Sequence, residues 1–212
     1  MQNIDGKNVC ESLAEVVDPC RAALVVVDIE NSSMWDSGPD NVILKKVKSL
    51  TDSARAAGVP IFFFYNQRGP GLRHISAAYI RVLMNLGHDT EEKLHEMCGS
   101  KDDEVAVHSH LDPQPEDFVL PKRRGDGFQD AGFELLLRTL QRETLVLVGC
   151  STDWCLEATA WAATNKDYYV VVAEDCTRSP RPDGHEAALI QFRTIGLDVV
   201  NSQELTELWQ HL

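Results

Sequence analysis

What this chain of 212 residues lacks narrows its function before any motif does. It has no basic run longer than Lys122-Arg123-Arg124, and 33 acidic residues against 20 lysines and arginines leave a formal net charge of −13. That balance excludes the electrostatic footprint of a nucleic-acid binder. No apolar run approaches the roughly 18 residues that a membrane span requires, and no repeat, low-complexity tract or secretory leader is recognisable. Six cysteines are present, but none is spaced as a CxxC metal or redox pair. A chain of this length and core content has no need of a disulfide framework. The expectation is reduced thiols in the cytoplasm, and one domain over residues 1–212, with residues 1–20 as an N-terminal arm.

What is present is an alternation of strand-like and helix-like segments. Ala22–Ile29 is a continuous apolar run, the pattern of a strand buried on both faces. A helix is expected over Asn41–Ala57, closed by Gly58, and strands over Val59–Tyr65, Phe118–Leu120, Thr144–Val148, Tyr168–Ala173 and Leu197–Val200. Helices are expected at Phe133–Gln141, Cys155–Lys166, Gly184–Ile195 and from Ser202 onward. Strands alternating with helices at this spacing imply right-handed crossovers, hence a doubly wound, mostly parallel α/β sheet between two helical layers. Residues 66–116 break the rhythm. An excursion of about fifty residues far exceeds the usual connection, and it is read as a lid or subunit contact in which Ser76–Leu86 has helical spacing.

Three chemically capable residues sit where strands end. Asp28 terminates the first apolar strand, Lys122 follows the third, and Cys155 follows the turn Gly149-Cys150-Ser151-Thr152-Asp153-Trp154 after the fourth. Carboxyl ends of parallel strands converge on one crevice. There a thiol becomes a nucleophile when a base takes its proton or a cation lowers its pKa. Asp28 can do the first and Lys122 the second. With a helix start beneath it as well, Cys155 is expected to be a low-pKa thiolate.

The chain from about Arg21 to Glu204 resembles the isochorismatase-like cysteine hydrolases. The resemblance rests on Val25-Val26-Val27-Asp28, on Pro121-Lys122-Arg123-Arg124 with Phe128, and on Gly149-Cys150-Ser151-Thr152-Asp153-Trp154-Cys155. It implies a Rossmann-like α/β/α fold and a Cys155-Asp28-Lys122 triad that hydrolyses a C–N bond. It also implies a cis peptide at Cys150–Ser151, an oxyanion hole from the backbone N–H groups of Ser151 and Cys155, and a homodimer or homotetramer.

Departures from the family pattern bear on the substrate. Asp28-Ile29-Glu30-Asn31 places Glu30 where many relatives have glutamine, so extra negative charge is expected near the crevice. The Asp-x-His metal set of nicotinamidase-type members is replaced by Asn66-Gln67-Arg68. No metal or other cofactor is therefore expected, with His74, His88, His95, His108 and His110 read as solvated. Glu30, Arg68, Phe128 and Trp154 are candidate contacts for a small amide or ureide, Arg68 as a fork of donors for a carboxylate or ureido oxygen. His185 is read as structural. Hydrolysis of an isochorismate-type vinyl ether is the enzymatic alternative; a binding protein that kept the fold without turnover is the alternative of another class.

Overall fold

The computed structural model describes residues 1–31, 38–67, 71–98, 106–129 and 132–211. Its centre is a six-stranded sheet in which every neighbouring pair is parallel. In chain order the elements are the hairpin β1 (Gln2–Ile4) and β2 (Lys7–Val9), α1 (Leu13–Val16), β3 (Ala22–Val27), α2 (Gly38–Ala56) and β4 (Ile61–Asn66). There follow α3 (Ala77–Asn85), α4 (Glu91–Cys98), β5 (Phe118–Lys122), α5 (Phe133–Thr139), β6 (Thr144–Cys150) and α6 (Glu157–Thr164). β7 (Tyr169–Arg178), α7 (Pro182–Thr194), β8 (Asp198–Val200) and α8 (Ser202–His211) complete the chain.

The sheet order is β5-β4-β3-β6-β7-β8. The chain winds outward from β3 in one direction, then returns to β6 and winds outward in the other. The strand order therefore reverses between β3 and β6, the place where a doubly wound sheet opens a crevice at its carboxyl edge. All six residues of β3 are buried because both sheet faces are covered. Leu24 and Val26 point to a core shared with Leu44, Val47 and Leu50 of α2 and Leu205 and Trp209 of α8. Ala23, Val25 and Val27 point the other way, to Phe133 and Leu137 of α5, Ala160 and Ala163 of α6, and Leu189 and Phe192 of α7. Period-two alternation thus serves two cores at once.

Three differences from the sequence expectation matter. The arm at residues 1–20 forms a hairpin and a short helix, and Val17 accepts a hydrogen bond from Trp209 Nε1 (2.9 Å). Strand β7 runs on to Arg178, with a register break that puts four residues of β7 against one of β6 between the pairs Leu147–Val172 and Gly149–Thr177. Polar Glu174 and Asp175 in that break masked the continuation. Within 66–116, the segment 91–98 is helical although its apolar positions are few, and acidic Glu91 and Glu92 occupy its first turn, where the helix dipole favours them.

Candidate active site

Gly149 sets the spacing of the two central strands where they matter. It is paired with Val27 at φ 119°, and a Cβ built on it would lie 2.0 Å from the Val27 carbonyl oxygen. Only glycine fits so close an approach. The next residue on β3 is Asp28, which turns out of the strand at φ 52° while its N–H donates to the Phe64 carbonyl of β4 (3.1 Å). On β6 the chain continues through the cis peptide Cys150–Ser151 into a wide helical turn, Thr152–Leu156, that carries Cys155. The α-helix proper begins only at Glu157.

The turn is anchored on several sides. His185 Nδ1 lies 2.9 Å from Thr152 Oγ1, in keeping with a structural role. Asp153 Oδ2 accepts from Arg181 Nε (2.7 Å) and lies so near Gly184 that a Cβ there would be 2.1 Å away. Thr159 Oγ1 donates to the Cys155 carbonyl (2.8 Å) and accepts the Gly127 N–H (3.1 Å), tying the Cys155 turn to the loop after β5.

Lys122 is wholly buried at the end of β5 and gathers the site around its ammonium. Its Nζ lies 2.7 Å from Asp28 Oδ2 and 3.4 Å from Cys155 Sγ. It also lies 3.1 Å from Asn66 Oδ1 and 3.1 Å from the Arg124 carbonyl. The three residues expected to meet do meet. Burial opposes the charge on Lys122, yet Asp28 and Cys155 outweigh burial, and its pKa is raised.

Cys155 departs from expectation. Burial pushes its thiol well above the ordinary range, the Asp28 carboxylate pushes it further, and Lys122 only partly pulls it back. This direction runs against the low-pKa thiolate expected from sequence, because Asp28 already neutralises the ammonium and the α-helix begins only at Glu157. A thiol raised in this way keeps its proton beside the Lys122–Asp28 pair. Releasing its proton to water would leave a net negative charge in a dry site. Passing it to Asp28 would leave the net charge unchanged.

Glu30 and Asn66 form a second tier. Glu30 is 9% exposed, and its Oε1 accepts from both the Asn66 N–H (2.6 Å) and Asn66 Nδ2 (3.1 Å). A carboxylate can only accept, so Asn66 must turn its amide nitrogen to Glu30 and its oxygen to Lys122. Asn66 was not recognised in the sequence; its place one residue past the apolar part of β4 was the available signal. The backbone of 106–108 runs along 29–31, with Asn31 N–H to the Ala106 carbonyl (2.9 Å) and His108 N–H to the Ile29 carbonyl (2.8 Å). The end of the long excursion is thereby pinned beside the site.

The crevice above these groups has a volume of about 430 Å³, the size of a small-molecule site. Trp154 lines it, as expected, together with Ile75, Tyr79, Leu83, Leu86 and Met97 from the excursion. His74 and His88 also line it, and His108 is buried with Nδ1 accepting the His110 N–H (3.1 Å), so these three are not the solvated side chains expected. Phe128 is corrected too: it packs 4.9 Å from Phe133 and 5.8 Å from Tyr168 (ring centroids), within the α5–α6–α7 core rather than on the crevice wall. Arg68 lies outside the described residues. Among the described residues no group of three or more His, Cys, Asp and Glu side chains is placed to hold a metal, and no helix is long and apolar enough to cross a membrane.

A family model, the isochorismatase domain, matches residues 22–204. The chain belongs to the isochorismatase family. Within that family it is similar to the ureidoacrylate amidohydrolase RutB of Pseudomonas savastanoi pv. phaseolicola, at 30% identity over 195 residues covering 83% of this chain and 78% of the relative. Among solved structures, a cysteine hydrolase from Pseudomonas syringae pv. phaseolicola superimposes with a TM-score of 0.78 at 19% identity, over 92% of this chain and 95% of that one. The N-carbamoylsarcosine amidase of Thermoplasma acidophilum gives a TM-score of 0.67 at 25% identity, over 86% and 96%. The isochorismatase fold, a parallel sheet between two helical layers, is thus common to all of them.

Proposed function

We propose that the chain is a cysteine amidohydrolase cleaving the C–N bond of a small ureido, carbamoyl or amide compound. The observation that carries this is the meeting of Cys155 Sγ, the Asp28 carboxylate and the buried Lys122 ammonium at the point where the strand order reverses. The activities of the relatives, ureidoacrylate amidohydrolase and N-carbamoylsarcosine amidase, support the bond type. The chain's own groups supply nucleophile, base and fixed cation, so the reading calls for no metal or cofactor.

In this reading Asp28 takes the thiol proton as Sγ adds to the carbonyl carbon. The charge developing on the carbonyl oxygen is met by the backbone N–H groups of Ser151 and Cys155. Collapse breaks the C–N bond, and the leaving nitrogen takes the proton back from Asp28. Asp28 then removes a proton from water, which attacks the thioester, or the S-carbamoyl ester of a ureide. The departing sulfur regains a proton and the acid or carbamate is released. Lys122 holds carboxylate and sulfur in register throughout.

Residues 66–116 are read as a lid within one domain, since side chains from 74–97 line the crevice. The five described cysteines are free, which supports a reducing, cytoplasmic setting, and the homo-oligomer rests on family resemblance. Ammonia release from ureidoacrylate, N-carbamoyl amino acids, biuret and nicotinamide tests the reading, with Cys155→Ala as control. Ammonia from at least one compound is expected, falling at least about a thousandfold in the variant. Undiminished release by Cys155→Ala would exclude the mechanism.

A further inference from the structure

The charge around the crevice runs against the charge of the chain. The whole sequence carries −13, yet the described crevice lining carries Lys122, Arg123, Arg124 and Arg181 against Asp28 and Glu30. Most of these cations are engaged. Lys122 pairs with Asp28, Arg181 with Asp153 just behind the lining, and Arg123 Nη2 donates to Gln67 Oε1 (2.5 Å).

Arg124 differs. Among the described residues no carboxylate pairs with it. Its Nη1 donates to the Arg123 carbonyl (2.6 Å) and its Nη2 to the His74 carbonyl (3.5 Å). Its guanidinium carbon sits 4.6 Å from the centre of the Tyr79 ring. A guanidinium has five N–H donors, so two neutral carbonyls and a π face position it without neutralising it, and three N–H groups remain. The Arg124 carbonyl accepts from Lys122 Nζ, so this cation belongs to the same loop as the reacting centre. Tyr79 bridges the two. Burial pushes its phenol up and Arg124 pulls it partly back, and its ring lines the crevice with Cys155.

We propose that Arg124, held against Tyr79, is the subsite for a substrate carboxylate, so that the enzyme acts on ureido or carbamoyl acids in preference to their uncharged counterparts. The inference rests on the amidohydrolase reading above and specifies its substrate. With the ureido carbonyl at Cys155, a short substrate presents its far-end carboxylate to the free edge of the guanidinium, where two parallel N–H···O bonds can form. Because Tyr79 and the His74 carbonyl both come from the excursion, seating the acid also engages the segment that covers the crevice.

A matched pair tests this: N-carbamoylglycine, an acid, and N-carbamoylglycinamide, its neutral amide. Wild-type kcat/KM is expected to favour the acid by about tenfold or more, as a charge-assisted bidentate pair implies. Arg124→Gln should bring the ratio to within about threefold of unity, and Arg124→Lys should restore part of it. No preference in the wild type, or an unchanged ratio in Arg124→Gln even with both rates lowered, would overturn the proposal. If neither compound is turned over, calorimetric titration of both into Cys155→Ala decides. Tighter binding of the acid, lost when Arg124→Gln is added, keeps the subsite while removing the hydrolase reading. Equal binding, or none, overturns the subsite.

Discussion

On the sheet side of the crevice, the side chains that meet around Lys122 are fixed by strands: Asp28 at the end of β3, Asn66 by β4, Lys122 by β5 and Cys155 by the turn after β6. On the opposite side, Ile75 follows a 3-10 turn (Gly71–His74), Tyr79 and Leu83 lie on α3, Leu86 follows it and Met97 lies on α4, with Leu83 and Leu94 the buried apolar side chains among the described residues of 71–98. The sheet side is rigid because parallel strands and two helical layers over-determine it. The other side has little core of its own, and segments with few buried contacts are those that open at low cost. On the proposed mechanism, chemistry sits on the stiff wall and selection of the substrate on the compliant one.

That contrast can be broken at the ion pair. Lys122→Met leaves the buried Asp28 carboxylate without its cation, which is expected to cost about 3–5 kcal/mol in equilibrium unfolding and to abolish turnover. A loss below about 1 kcal/mol would mean that the stiff wall does not depend on Lys122.

The thiol offers a gentler probe. Because burial and Asp28 push Cys155 up, its alkylation by iodoacetamide should be slow at pH 7.5 and still rising above about pH 9, beyond the ordinary thiol value. Peptide mapping distinguishes it from exposed Cys20. A rate that levels off below pH 8 would restore the acidified thiolate.

The smallest expected effect lies on the compliant wall. Leu83→Ala should raise KM severalfold and speed proteolysis within 71–98, with kcat held within about threefold. A drop in kcat as large as that of Lys122→Met would show that the two walls act as one.

The same division explains what could be read from residues alone. β3 and β6 are continuous apolar runs ended by Asp28 and Gly149, a pattern with no competing interpretation, and their topology alone brings Asp28, Lys122 and Cys155 together. Glu30 was visible as a substitution, but its effect, orienting Asn66, depends on a parallel pairing that no local pattern encodes. The Cys155 thiol could not be judged from sequence because its environment is set by Asp28 and Lys122 jointly, and their mutual neutralisation is a matter of ångströms. Phe128 lies in the connection between β5 and α5, where no periodicity says which way it faces; only packing against Phe133 and Tyr168 decides it. Helix α4, polar and short, carries too weak an apolar stripe to announce itself.

One arithmetic detail of Lys122 has a bearing on how the reaction proceeds. Its ammonium has three protons, whereas four acceptors surround it: Asp28 Oδ2, Asn66 Oδ1, the Arg124 carbonyl and Cys155 Sγ. Three donors cannot serve four sites equally, and in the resting state the longest contact, to sulfur, is the one served least. In the proposed mechanism, as the thiol proton moves to Asp28 the carboxylate weakens as an acceptor just as the sulfur strengthens. A small rotation of the ammonium about its last carbon–nitrogen bond then follows the charge from oxygen to sulfur and back, once in each half of the catalytic cycle.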